Sequence, residues 1–554
     1  MTGTSERRKR ILSNPIPEEY FSELIDLIVR EQPASKGEVH SLKLALCKIH
    51  HLPRIPTDPE VLEHVPSERR NELLPFLRIK AMRTASGVSP VAVMTSPADC
   101  PHGTCIYCPG GVGNNSAQSY TGQEPAALRA GQHGFDPFLQ TEARLRQYRE
   151  IGHPTDKIDL IIMGGTFPAR EPEYQEKFVL GCFNAMNSGT SPVTHLPDAH
   201  IRNESAPHRC VGMTIETRPD HCLGPQIEQI RRLGGTRVEL GVQTTSDEVL
   251  ELVKRGHGTQ ATRESTRMIK DAGLKLVYHM MPGLPGSTPE MDLESFRTIF
   301  SNPEYRPDML KIYPTLVVKG TKLHTMWEQG EYEPLTTSGA VDLLKEVKKL
   351  IPRYVRVQRI QRDIPAKLIE AGVMKSNLRQ LVQLALEKEG ERCHCIRCRE
   401  AGHTRRTASN VRLMETSYES SGGMEHFLSF EDPDSEVLVG FLRLREPSEG
   451  SEFGKQKCSI VRELRITGIE VPLESELAEM EEGGDEKSGS SPGVGNATKR
   501  FQHTGYGQKL LERAEELSRE LGMSRIAVTS GVGVRPYYRK FGYDLVGHSM
   551  EKQL

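Results

Sequence analysis

Residues 100–111 read CPHGTCIYCPGG, which places Cys100, Cys105 and Cys108 at a C-x4-C-x2-C spacing. Pro101 and Pro109, with Gly103, Gly110 and Gly111, break any helix and favour a tight loop. Such a loop lets three thiolates converge on one small inorganic object. Structural zinc takes four ligands. A triad with no fourth cysteine alongside fits a 4Fe-4S cluster, with three irons held and the fourth open to a substrate or cofactor. On spacing alone, three quarters of a zinc site completed by a distant ligand is the alternative.

Outward from this loop the chain alternates strand and helix, over about residues 86–350. VAVMTS, IDLIIMGG, GMTIET, RVELGVQT, KLVYHMMP and MLKIYPTLV read as strands, with helical stretches such as PFLQTEARLRQYREIG, GPQIEQIRRLG and TRESTRMIKDAG between them. Six such repeats predict a parallel sheet curved as a partial barrel, with the chemistry at the C-terminal ends of the strands. The cysteine loop follows the first strand, at that end. So do Gly164, Gly165 and Thr166 after the second, where small residues admit close approach of a ligand; taken alone they read as an ordinary turn. Glu216 ends the third strand. Glu239, Gly241 and Gln243 share one face of the fourth, and Gly283 to Gly286 close the fifth. Charged residues within a strand are costly unless paired or used.

The chain has 554 residues, enough for two to four domains. Its 72 Lys and Arg balance 74 Asp and Glu, so any nucleic-acid surface is a local patch. No apolar run reaches membrane length, and the basic start MTGTSERRKRILS lacks a signal-peptide core, which predicts a cytoplasmic protein with no membrane partner. Six of the 11 cysteines fall in two clusters, as metal or cluster ligands do in a reducing compartment. Residues 1–85 read as helices, YFSELIDLIVREQ being amphipathic, and serve either as a solvated surface or as a tRNA-binding segment.

Residues 351–415 form a basic connector, with 14 Lys and Arg against 6 Asp and Glu between Arg353 and Arg412. Arg353, Arg356 and Arg359 recur every third residue and are candidate RNA contacts; a merely solvated charge run is the bland reading. Within it ERCHCIRCREAGH sets Cys393, Cys395 and Cys398 at C-x-C-x2-C, a spacing for zinc, with His394 and His403 beside it. Residues 416–554 begin with alternating strands, HFLSFE, VLVGFLRLR and SIVRELRITG. An acidic, then Gly/Ser-rich stretch at about 472–499 reads as a disordered loop. Then Gln502, His503, Thr504, Gly505, Tyr506 and Gly507 fit Q-x-x-G-x-G ahead of a strong amphipathic helix, whose N-terminus suits a pyrophosphate.

Three resemblances follow. The cysteine loop after the first strand resembles that of radical S-adenosylmethionine (SAM) enzymes, although the commonest spacing there has three residues between the first two cysteines. The C-terminal domain, with RIAVTSGVGVRPYYRKFGYDLVG, resembles a GCN5-related N-acetyltransferase (GNAT). That resemblance implies acetyl-CoA on Gln502 to Gly507, with Tyr538, preceded by Tyr537, as acid. RTASGVSPVAVMTSPADCPHGTCIYCPGG, QSYTGQEPAALRA, GVQT, HMMPGLPG and IYPTLVVKGT together resemble the catalytic subunits of Elongator in their stand-alone form.

This likeness implies an α/β enzyme, a partial (β/α)6 barrel joined to a GNAT domain, that modifies uridine 34 in the tRNA anticodon loop. It implies that a 4Fe-4S cluster on Cys100, Cys105 and Cys108, with SAM on Gly164, Gly165, Thr166, Glu216 and Gln243, generates a 5′-deoxyadenosyl radical. The radical takes hydrogen from the acetyl methyl group, the product adds to uridine carbon 5, and hydrolysis leaves 5-carboxymethyluridine. A homodimer is compatible with the sequence. A protein lysine acetyltransferase with a vestigial barrel, or an RNA-binding scaffold with structural metals, stays open; four irons per chain and SAM cleavage after reconstitution separate the first reading from these.

Overall fold

The computed structural model describes residues 16–404, 406–468, 501 and 504–554. The loop expected at 472–499, and Arg7 to Arg10, lie outside them. Two compact units emerge. The first comprises the described residues up to Ser89 with Glu142–Asp156; the second comprises Pro90–Thr141 and Lys157–Leu554.

In the first unit, α1 (Glu18–Glu31) buries Tyr20, Phe21, Leu24, Ile25 and Ile28, the helical spacing read from YFSELIDLIVREQ. α2 (Lys36–Ile49) is capped by Ser35, which accepts from the Glu38 amide, and α3 (Asp58–Glu63) by a Thr57–Glu60 capping box. With α4 (Arg70–Leu77) they enclose one apolar core. Its basic side chains are partly spoken for: buried Lys43 pairs with Asp58 at 2.5 Å, Arg54 grips both oxygens of Glu60, and Arg69 meets Asp26 at 2.6 Å.

The second unit holds the predicted parallel sheet: β1 (Ser89–Met94), β2 (Lys157–Met163), β3 (Arg209–Thr217), β4 (Arg237–Gln243), β5 (Lys275–Met280) and β6 (Met309–Ile312), in sequence order. A seventh strand, β7 (Arg356–Ile360), extends it beside β6. It comes from the basic stretch assigned to the connector, so the barrel runs past residue 350. Helices such as Pro172–Met186, Thr259–Asp271 and Pro289–Ser301 make the crossovers that parallel strands require.

A second sheet also has seven strands: β8 (Arg412–Ser420), β9 (Gly423–Asp432), β10 (Val437–Glu446), β11 (Cys458–Ile466), β12 (Arg525–Val528), β13 (Asp544–Val546) and β14 (Ser549–Gln553), ordered β8-β9-β10-β11-β12-β14-β13. Only β11 and β12 pair in parallel, and their pairing stops at Val461 and Val528. A register shift against β10 leaves Arg462 as an extra residue at that point, a bulge where the two strands part. Leu428, Leu442, Val461, Leu510, Leu511 and Ile526 form the core beneath α5 (Tyr506–Glu520).

This sheet packs on the N-terminal ends of the barrel strands, opposite the cysteine loop. A Cβ on Gly531 would strike the Val211 carbonyl of β3, so the chain there tolerates no side chain. Arg462 donates to both oxygens of Asp308, ahead of β6, at 2.8 and 2.6 Å and to Glu425 at 2.8 Å. Arg445 bridges Asp271 and Glu425, and Arg443 binds Glu463 and the Tyr354 carbonyl. Lys270 donates to Ser420 Oγ at 2.8 Å. Four cations therefore meet Asp271, Asp308, Glu425 and Glu463 in a buried, charge-balanced seam. No helix among the described residues is long and apolar enough to cross a membrane.

Candidate active site at the barrel mouth

The cysteine loop leaves β1 in two tight turns, Gly103 N–H to Cys100 O and Cys108 N–H to Cys105 O, both 3.0 Å. Each thiol has polar company. Gln118 Nε2 donates to Cys108 Sγ at 3.1 Å, Thr166 Oγ1 lies 3.7 Å from Cys100 Sγ, and buried Arg255 donates to Cys105 Sγ at 3.7 Å. His102 Nε2 is 3.2 Å from Cys105 Sγ, and its Nδ1 meets the Arg218 guanidinium. Burial first, then Arg218 and Arg255, push the His102 pKa down to about 4. The ring is therefore neutral at pH 7, and with Nδ1 accepting from Arg218, the Nε2 proton points at the sulfur. A guanidinium and N–H donors around three thiolates offset the negative charge of an iron–sulfur cluster.

Among the described residues, the sets of His, Cys and carboxylate ligand atoms that fall within 4.8 Å of one another are Cys393–Cys395–Cys398 and Glu216–Glu239–His279. Gly164 (φ +153°) and Gly165 (φ +75°) adopt backbone that favours glycine, and a Cβ would strike Thr95 at the first and lie 3.2 Å from the Gln118 carbonyl at the second. Thr166, Glu216 and Gln243 reach the same mouth. Tyr120 OH donates to Glu216 at 2.6 Å; Gln243, left-handed at φ +74°, has a buried Oε1 without a partner.

Three groups lie below, on neighbouring strands. Glu239 Oε2 is 2.9 Å from His279 Nε2 and accepts from Lys311 Nζ. Burial opposes both charges. Lys311 and His279 nevertheless hold the Glu239 carboxyl well below its usual range, and Glu239 lifts the Lys311 ammonium above its own.

The Gly283–Gly286 turn is pinned by Asp292, which accepts from Gly283 N–H at 2.6 Å and Ser287 Oγ at 2.7 Å. Burial still raises its pKa to about 6, against about 4 in an unfolded chain. In that window the folded chain holds the extra proton, so this contribution is present below about pH 4 and lost as pH rises through about 6. Asp292→Asn should remove a slope on the order of 2–3 kcal/mol. Urea melts of both proteins from pH 4 to 7 check this; parallel curves would refute it.

Cys393, Cys395 and Cys398 cluster as their spacing suggests, and neither His394 nor His403 joins them; these lie 3.3 and 3.5 Å from Glu436 and Glu400. Lys348 Nζ is 3.7 Å from Cys398 Sγ. The loop touches both sheets, through Ile396 N–H to Val355 O at 2.9 Å and Ala401 N–H to Leu438 O at 3.0 Å. The three arginines form no stripe. Arg356 is half-buried and bidentate to Glu400, Arg353 binds Glu431 and Glu436, and Arg359, at the exposed edge, meets Asp363 at 2.6 Å. On the far sheet, Gly505 (φ +84°) starts α5, and Thr504 Oγ1 bonds to Phe501 O. Tyr537 OH lies 3.1 Å from where a Gly507 Cβ would sit, while Tyr538 is buried in the core, its pKa raised by burial. Gln502 and His503 lie outside the described residues.

A triad of cysteines at the C-terminal mouth of a parallel half-barrel is the arrangement of radical SAM enzymes. Residues 95–299 match the radical SAM superfamily and 307–388 its C-terminal domain, while 18–85 match the ELP3 N-terminal domain. The chain belongs to the Elongator complex protein 3 family. It is 47% identical to a tRNA uridine(34) acetyltransferase of Methanocaldococcus jannaschii over 96% of both chains, and 40% identical to human Elongator complex protein 3 over 95% of both. It also matches the crystal structure of Methanocaldococcus infernus Elp3 with an N-terminal deletion, at 45% identity and a TM-score of 0.72, over 85% of this chain and all of that one. Membership of the radical SAM superfamily implies a 4Fe-4S cluster and SAM.

His102, Gln118, Arg255, His279 and Lys311 are the candidate-site residues that sequence reasoning did not single out. Only His102 lies within the motif itself; Arg255 is 150 residues away from the thiol it meets.

Proposed function

We propose that this chain modifies carbon 5 of uridine 34 in the tRNA anticodon loop, drawing two carbons from acetyl-CoA. One observation carries the reading: a thiol triad at a barrel mouth and a sheet parted at a bulge occur in one compact unit. The two archaeal relatives named tRNA uridine(34) acetyltransferase support it. Bound cluster and SAM would supply a 5′-deoxyadenosyl radical to take one hydrogen from the acetyl methyl; that carbon would bond to uridine C5, the C5 hydrogen leaving as a proton and the odd electron passing back to the cluster, and hydrolysis of the thioester would give 5-carboxymethyluridine and free coenzyme A.

The remaining roles fall to the chain. Cys100, Cys105 and Cys108 hold the cluster, with Arg255 and His102 offsetting its charge; Gly164, Gly165, Thr166, Glu216 and Gln243 seat SAM. The gap between β11 and β12 leaves backbone groups unpaired beside a GNAT-like slot for the thioester. The N-terminus of α5, with Thr504 to Gly507, takes the pyrophosphate. Tyr538, kept protonated by burial, returns a proton to the departing thiolate, with Tyr537 beside the pyrophosphate turn. Zinc on Cys393, Cys395 and Cys398 ties β7 to β10. Arg359, whose partner Asp363 is exposed, is the candidate for phosphate, because Arg353 and Arg356 are held by the buried carboxylates Glu431 and Glu400. A splayed anticodon base enters the barrel mouth, and the reaction belongs to the cytoplasm, where tRNA works.

Acetyl-CoA deuterated on its methyl group tests the reading. Nucleoside mass spectrometry should find two deuteriums in carboxymethyluridine and one in deoxyadenosine. A lysine acetyltransferase would place three on acetyl-lysine and none in deoxyadenosine. Modified tRNA forming with no label in deoxyadenosine would refute the radical step.

A further inference from the structure

Below the mouth, Glu239 on β4, His279 on β5 and Lys311 on β6 meet inside the barrel. His279 and Lys311 both bind the same oxygen, Glu239 Oε2. Glu239 is 2% exposed, and the donors that reach it, His279 Nε2 and Lys311 Nζ, both sit on Oε2, which leaves Oε1 as the oxygen to offer a ligand. Lys311 has two further N–H donors, and the Tyr313 ring stands edge-on to His279 at 5.4 Å. Above them on the same face of β4, Gln243, nine-tenths buried, sets its Nε2 over Gly241 and leaves its Oε1 without a partner among the described residues. Glu216 lies within 4.8 Å of Glu239 and His279, so a ligand here is next to the proposed SAM seat.

The set offers a fixed anion beside a fixed cation. A divalent cation could use Glu216, Glu239 and His279, but the Lys311 ammonium already supplies the positive charge on the shared oxygen. A planar ligand with a donor next to an acceptor answers both free groups at once. The edge of uracil has that order, N3–H beside the O4 carbonyl; cytosine reverses it, with a bare N3 beside an amino group.

We propose that Glu239 and Lys311 read the base: Glu239 Oε1 accepts from uracil N3–H and Lys311 Nζ donates to O4, with Tyr313 against the ring. This rests on the uridine reading above and adds how uridine is told from cytidine. Cytosine would set its N3 lone pair against a carboxylate and its amino group against an ammonium, two repulsive contacts in a dry site, costing about tenfold or more in occupancy. Because both protein groups are charged throughout the neutral range, the selection does not depend on pH there.

The test uses the full chain and three anticodon stem-loops that differ only at position 34: 5-fluorouridine, its N3-methyl derivative and 5-fluorocytidine. ¹⁹F NMR should show a shifted bound resonance for the first, reduced about tenfold or more for the other two, while overall affinity by fluorescence anisotropy changes less than about twofold, since phosphates dominate it. Lys311→Met and Glu239→Gln should lose the shifted resonance with 5-fluorouridine. The RNA-side comparison stands even if those variants fold poorly. A shifted resonance indifferent to N3-methylation or to cytidine overturns the base-reading role while leaving uridine entry intact. No shifted resonance with any of the three, on bound RNA, overturns entry of the base and the uridine reading with it. Stoichiometric Mn²⁺ binding to the RNA-free protein, lost in Glu239→Gln, would make the set a cation site and end the proposal.

Discussion

Cys105→Ala is expected to leave the purified protein without bound iron after anaerobic reconstitution and to bring deoxyadenosine formation down to the uncatalysed background. Cys105 is the buried member of the triad and the thiol that both His102 and Arg255 address. Its loss removes one of three proposed ligands and also the sulfur that Arg255, buried to 7% exposure, meets beside the Gly241 carbonyl. Two thiolates do not close a cluster site. Coenzyme A binding should survive, because the parted strands β11 and β12 lie at the other end of the barrel. Iron analysis, deoxyadenosine yield and calorimetric titration with coenzyme A read the three quantities. Loss of coenzyme A binding in a variant that keeps its circular dichroism would contradict the separation of the two sites.

Asp308→Ala carries the largest expected cost in stability, about 3–5 kcal/mol. The side chain is fully buried and accepts from Arg462 twice, with Lys270 at 3.9 Å and Arg443 at 3.7 Å. Removing it leaves a buried seam of four cations facing three carboxylates. Burial raises the carboxyl, but Arg462, Lys270 and Arg443 outweigh that and hold it far below its usual range, so it is charged at any pH at which the protein is handled. The double variant Asp308→Ala/Arg462→Met should recover part of the loss, because it removes one of the stranded charges. Urea denaturation measures both. A change under about 1 kcal/mol for the single variant would show that water or a rearranged carboxylate fills the gap.

The six barrel strands were legible because each is a short Val/Ile/Leu run that stops at glycine or a turn. β7 was not. Its sequence, RVQRI, looks like a solvated basic stretch, and its arginines make sense only against carboxylates elsewhere: Glu400 for Arg356, Asp363 for Arg359. Residues three apart on a strand also point to opposite faces, so a stripe that would hold on a helix dissolves here. β8, RLMETSYES, escaped for a related reason, being an exposed polar edge without an inward apolar row. Within the candidate site the thiols announced themselves by spacing, whereas Arg255, His279 and Lys311 were ordinary charges until the fold brought them to the lumen. Local pattern carries ligands that arrive in one loop; it does not carry those assembled from several strands.

The place where the second sheet is attached has a mechanical consequence. Enzymes that must pass a fragment between two domains often swing them apart and together on a hinge. Here such a swing would tear eight buried charges from their partners, each stranded charge costing several kcal/mol. Traffic between the two chemistries is therefore confined to a stationary frame. On the proposed reading RNA arrives at one end of the barrel and coenzyme A at the other, separated by roughly 20 Å of strand at about 3.3 Å per residue. The flexible arm of the coenzyme, not the protein, has to make up that distance. Its timing would then be set by what clears the lumen, where Arg237 holds Asp159 at 2.6 Å near the lower end and Lys311 holds Glu239 further up.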